Sequence, residues 1–110
     1  MNWRDLFRPI RSLNVAESQA LLSSRPPDQI QVLDVRQPKE YETGHLPHSR
    51  LIPLKELPQR LGELDPEKPV LVYCAAGRRS RTAARLLSGE GFKEVYNLAG
   101  GIKDWQNIQG

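Results

Sequence analysis

The run Pro69-Val70-Leu71-Val72-Tyr73 constrains this chain more than any other feature. It is apolar without alternation, so neither face of a strand built from it can meet water. Such a strand belongs inside a parallel sheet, with helices above and below it. The surrounding sequence agrees with that demand. Residues 29–35 (QIQVLDV) read as a strand with Asp34 near its C-terminal end, 49–54 (SRLIPL) as a short strand closed by Pro53, and 94–98 (EVYNL) as another.

Helical patterns fall between these runs. Asn14 is a candidate cap with Glu17 three residues on, followed by Ala16, Ala20 and Leu21 at helical spacing. Residues 38–44 (PKEYETG) read as one or two turns opened by Pro38 and stopped by Gly44. In 54–64 (LKELPQRLGEL), Leu54, Leu57, Leu61 and Leu64 share one face of an expected helix, with Pro58 early in it. A further helix is expected from Arg79 to Ser88, with Ala83, Leu86 and Leu87 inward and Gly89 or Gly91 ending it. Residues 100–106 (GGIKDWQ) form a short last helix, and 24–29 (SRPPDQ) a loop. Strands separated by helices predict one α/β domain spanning 1–110 with a mainly parallel sheet.

Composition narrows the functional classes. One cysteine excludes an internal disulfide and a Cys-rich zinc site, and it points to a reducing compartment, the cytoplasm. No metal or cofactor is expected. No apolar run approaches the roughly 18 residues that a membrane span needs. The opening MNWRDLFRPIRS is basic with no apolar stretch after it, so neither a secretory signal nor a transit peptide is expected. A net charge of +3 suits anionic substrates or partners without pointing to nucleic acid.

The lone thiol, Cys74, ends the central strand and precedes the expected helix by about five residues. The C-terminal ends of strands in open α/β sheets are where ligands bind. A loop from strand to helix turns backbone N–H groups inward, and the helix N-terminus adds positive charge, so the thiol there should ionise easily. Ala75, Ala76 and Gly77 are small enough for the loop to curl over the sulfur. Arg78 and Arg79 stand at the helix start, where cations oppose the helix dipole. An anion held in the loop would relieve that conflict. Ser80 is placed either to cap the helix or to offer its hydroxyl to the anion. Arg81 and Arg85 read as a solvated helix face.

LDVRQPKEYETGHLP (33–47) and VLVYCAAGRRSRTAARLLSGEGFKEVYNLAGGIKDW (70–105) resemble the two signatures of the rhodanese family, the single-domain sulfurtransferases. The resemblance implies a rhodanese-type three-layer α/β fold, with a five-stranded mainly parallel sheet and helices on both faces. It implies a persulfide on Cys74, cradled by Ala75, Ala76, Gly77, Arg78, Arg79 and Ser80. A small anionic donor such as thiosulfate would load the sulfur. Cyanide or a thiol acceptor, such as a thioredoxin-like protein, would take it. The small Ala75 and Ala76 are similar to those of mercaptopyruvate-using relatives, whereas the arginines favour the compact dianion. Asp34, Arg36, Glu40 and His45 are expected to be scaffold. His48 and Ser49 stand where the family usually has a small pair such as Gly-Ala.

Two other readings accompany this one. A persulfide carrier or docking module would share the fold and the thiol. Phosphatases and arsenate reductases of related folds place arginine six positions after the cysteine, where this chain has Ser80. Dithiol redox chemistry has no second cysteine to work with.

Overall fold

The computed structural model describes residues 10–109. The reading of the first nine residues as free of a leader lies outside them. Five strands form one sheet: β1 (Arg11–Leu13), β2 (Gln31–Asp34), β3 (Ser49–Leu51), β4 (Val70–Tyr73) and β5 (Val95–Leu98). The spatial order is β1-β5-β4-β2-β3, and every neighbouring pair is parallel. The run that reads as doubly covered is the central strand, and all four of its residues are 0% exposed. Four α-helices complete the fold: α1 (Val15–Ser23), α2 (Pro38–Glu42), α3 (Arg78–Gly89) and α4 (Gly101–Gln109).

Alternation along β4 divides the core in two. Val70, Val72 and Cys74 turn to one face and pack with Ala83, Ala84 and Leu87 of α3 and with Leu57. Leu71 and Tyr73 turn to the other, against Val15 of α1 and Ile102 of α4. Helix α1 starts as its sequence predicts. The Glu17 N–H donates to Asn14 Oδ1 at 2.8 Å and the Asn14 N–H to Glu17 Oε1 at 3.0 Å. Such a box is worth about 1 kcal/mol.

Three elements differ from expectation. Strand β1 leaves no signal in the sequence; only Leu13 of its three residues is buried, so an edge strand this short carries no apolar period. The expected helix over 54–64 is instead two 3-10 segments, Leu54–Gln59 and Leu61–Glu63. Pro58 has no N–H with which to close an α-helical bond to Leu54. The chain closes shorter bonds, from Arg60 N–H to Leu57 O and from Leu64 N–H to Leu61 O, both at 3.0 Å. The four leucines nevertheless reach the core, Leu57 and Leu64 buried and Leu54 and Leu61 packed against them. Finally, α3 begins one residue early, at Arg78, and Ala84 is buried where Leu86 was expected to be, Leu86 being half-buried.

An ion pair closes the end of β2. Arg36 Nη2 lies 2.7 Å from Asp34 Oδ2, with side-chain exposures of 4% and 0%. The same nitrogen donates to the Gly44 carbonyl at 2.7 Å, and the guanidinium sits over the Tyr73 ring. The pair therefore ties the strand end to the turn after α2. Removing one member of a buried pair strands the other charge, which costs about 3–5 kcal/mol. Asp34→Asn should lower the urea unfolding midpoint by the equivalent of that loss; an unchanged midpoint would show that the pair contributes nothing.

Candidate active site

Strand β4 delivers Cys74 to the C-terminal edge of the sheet, and α3 begins four residues later, at Arg78. Between them the loop folds back over the sulfur. The Gly77 N–H donates to Cys74 Sγ at 3.1 Å and the Ser80 N–H at 3.3 Å. Ser80 Oγ lies 3.3 Å from Sγ, placed to donate its O–H to a thiolate. The thiol is 1% exposed. Burial pushes its pKa up. Hydrogen bonds from the Ser80 hydroxyl and from the N–H groups of Ser80, Ala76 and Gly77 outweigh burial, so it titrates below an ordinary cysteine.

Two glycines allow this shape. Gly77 caps α3 with φ of +97°, and a Cβ there would run into the Ala99 carbonyl. Gly101 opens α4 with φ of +66°, and a Cβ there would strike the Ala75 carbonyl. The chain after β5 is thus pressed against the cysteine loop. Two hydrogen bonds fasten the contact: Ile102 N–H to Cys74 O at 2.9 Å and Lys103 N–H to Ala75 O at 3.2 Å. Residue-by-residue reading gave these C-terminal groups no part in the site. The signal was the Gly100-Gly101 pair immediately before a helix, but its partner lies on a different strand end.

The sequence-predicted residues now have places. Cys74, Gly77 and Ser80 come together around the sulfur, and Ala75 and Ala76 form the loop's outer turn, half-buried and exposed respectively. Ser80 is not the helix cap, that position being Gly77; it lies in the first turn with its hydroxyl on the sulfur. The two arginines separate. Arg79 makes a bidentate pair with Glu40 of α2, at 2.8 and 2.9 Å. That contact, with burial opposing and the Gln37 N–H assisting, holds the Glu40 carboxyl down to about 2. The pair therefore supports the fold at neutral pH and loses its contribution only as pH falls through the carboxylate range toward about 2. Arg78 is exposed, and its side chain makes no ion pair or hydrogen bond among the described residues. His45 stacks on Tyr41 with ring centroids 3.8 Å apart. His48 holds a φ of +61°, a left-handed position that favours glycine.

An apolar groove lined by Leu22, Ile30, Val32, His48 and Trp105 includes no residue of the cysteine loop. Chemistry here rests on the loop, not on this groove. If the Ser80 hydroxyl helps hold the thiolate, Ser80→Ala should move the pH profile of Cys74 alkylation upward, toward that of an ordinary thiol. A profile that does not move would leave the lowered pKa to the backbone donors alone.

Comparison with known proteins places this geometry. A family model described as "Rhodanese-like domain" matches residues 15–108. The uncharacterized protein YqhL of Bacillus subtilis is 48% identical over 75 residues, covering 68% of this chain and 60% of YqhL. A thiosulfate sulfurtransferase GlpE of Coxiella burnetii is 40% identical over 77 residues, covering 70% of this chain and 72% of GlpE. The crystal structure of a rhodanese-related protein from Thermoplasma volcanium superposes with a TM-score of 0.79 at 34% identity, covering 89% of this chain and 92% of that one. With its five parallel strands, its helices on both faces and a family match across nearly all of its length, the chain belongs to the rhodanese-like domain family.

Proposed function

We propose that the chain is a sulfurtransferase that moves a sulfane sulfur through a persulfide on Cys74. The observation that supports this best is the convergence of donors from Gly77 and Ser80 on a buried sulfur at a strand end. A negative charge that appears, disappears and reappears on one sulfur needs fixed donors that do not have to reorganise. Donation of sulfur would run as follows. The Cys74 thiolate attacks the outer sulfur of thiosulfate, a sulfur–sulfur bond forms, the donor's own bond breaks, and sulfite leaves with the electron pair. An acceptor then attacks the outer sulfur of the persulfide and Cys74 departs as thiolate. Thiosulfate as donor is supported by the relative that bears its name, at 40% identity.

Within that cycle we assign Arg78 to the donor. It is exposed beside the loop and pairs with no carboxylate among the described residues, whereas Arg79 is committed to Glu40. Ala75 and Ala76 place only methyl groups on the loop that covers the sulfur. Phosphatase chemistry fits less well. Ser80 stands where those enzymes need arginine, and its neighbours Arg79 and Arg81 are respectively paired and exposed. A cycle on a lone thiol suits a reducing compartment, and we place it in the cytoplasm.

The cycle has direct tests. After thiosulfate without acceptor, the intact mass should rise by one sulfur atom and cyanide should reverse it; Cys74→Ser should show neither the adduct nor turnover. Turnover at an undiminished rate by the folded serine variant would end the proposal. Arg78→Ala should slow the thiosulfate half-reaction by about tenfold to a hundredfold, the loss expected for a charge-assisted contact. Unloading by cyanide should change less. Equal donor kinetics in the variant and the parent would remove Arg78 from the site.

A further inference from the structure

Four of the nine described arginines are held by carboxylates. Arg36 is held by Asp34, Arg50 by Glu63, Arg60 by Glu56 and Glu63, and Arg79 by Glu40. Three of the other five stand together on helix α3. Its inward side is Ser80, Ala83, Ala84 and Leu87, and its outward side carries Arg78, Arg81 and Arg85, all exposed. Spacings of three and four place these three on one stripe. None of their side chains makes an ion pair or hydrogen bond among the described residues. The helix itself, Arg78–Gly89, contains no acidic residue, and the next acid in sequence, Glu90, follows its end.

That arrangement opposes helix stability twice, through like charges one turn apart and through cations at the positive end of the dipole. A small donor accounts for Arg78 alone. At a rise of about 1.5 Å per residue, Arg85 stands about 10 Å along the axis from Arg78, beyond the reach of any ion a few ångströms across. The stripe therefore matches a negatively charged surface, and it begins in the cysteine loop.

Building on the sulfur-transfer reading above, we propose that the outer face of α3 is the docking surface for the acceptor, an acidic protein whose reactive thiol is flanked by carboxylates. A thiol protein fits both ends of the stripe. Carboxylates meet Arg81 and Arg85, while the thiolate is brought to the loop. The acceptor thiolate attacks the outer sulfur of Cys74–S–SH. The Cys74–sulfur bond breaks with its electron pair going to Cys74, and the acceptor leaves as R–S–SH with the proton retained on the terminal sulfur. Nucleic acid fits less well, because α3 offers no aromatic side chain on which a base could stack.

The test loads the protein with thiosulfate and follows persulfide loss to three probes. These are a synthetic peptide with one cysteine among glutamates, the same peptide with glutamines, and the uncharged thiol dithiothreitol. At low salt the acidic peptide should unload the parent protein at least about tenfold faster than the neutral one, and the advantage should fade as ionic strength passes about 0.15 M. Arg81→Glu with Arg85→Glu should abolish or reverse that preference, and Arg81→Gln with Arg85→Gln should reduce it. Loading and unloading by dithiothreitol should stay within twofold in both variants, which also shows that they are folded. The proposal is overturned if the parent treats the two peptides alike, or if charge reversal leaves the preference standing. It is equally overturned if a short RNA blocks acidic-peptide unloading far better than a cysteine-free acidic peptide of equal charge. Failure of the parent to load, or to unload to dithiothreitol, would instead overturn the sulfur-transfer reading on which the docking surface rests.

Discussion

Everything in this fold is arranged around a strand that has no side for water. With Val70, Leu71, Val72 and Tyr73 all fully buried, β4 needs a strand on each edge and helices on each face. Its neighbours are supplied from opposite ends of the chain, β2 from before it and β5 from after it. Its faces are supplied by α3 on one side and by α1 and α4 on the other. The place where such a strand ends is therefore enclosed, and it is the position held by Cys74.

Enclosure works against the thiolate, since low polarity disfavours charge. The loop reverses that balance with the short Ser80 hydroxyl and with backbone N–H groups, not with long side chains. Backbone N–H groups cost little to preorganise, because α3 and the packed glycine turn already hold them. Cationic side chains are left with other tasks. Arg79 joins α2 to the start of α3 through Glu40, and Arg78, Arg81 and Arg85 stand exposed on the outer face of α3. The acidity of the sulfur thus rests on the Ser80 hydroxyl and the loop's N–H groups, and not on the arginines.

The parts of this molecule that could be read from its sequence are those whose causes are local. Apolar runs identified four strands, Asn14 and Glu17 marked a helix start, and the cysteine loop stood out because its residues are contiguous. Strand β1 escaped because an edge strand with one buried residue has no pattern. The 3-10 segments escaped because the leucine spacing that suggests an α-helix also serves a looser coil once Pro58 intervenes. Within the site, the Glu40–Arg79 pair and the latch between Gly101 and the Ala75 carbonyl join residues far apart in the chain. Asp34 and Glu40 were recognisable as charged groups near a strand end, but only folding decides which arginine each one meets.

The latch from α4 has a bearing on how the protein is made. Ribosomes deliver the cysteine long before Gly101, Ile102 and Lys103, yet the carbonyls of Cys74 and Ala75 find their donors only in those late residues. Until they emerge, β4 also lacks its β5 neighbour and Gly77 has no Ala99 against which to settle. The loop around the sulfur therefore gains the contacts that fix its shape only after the segment through Lys103 has been made.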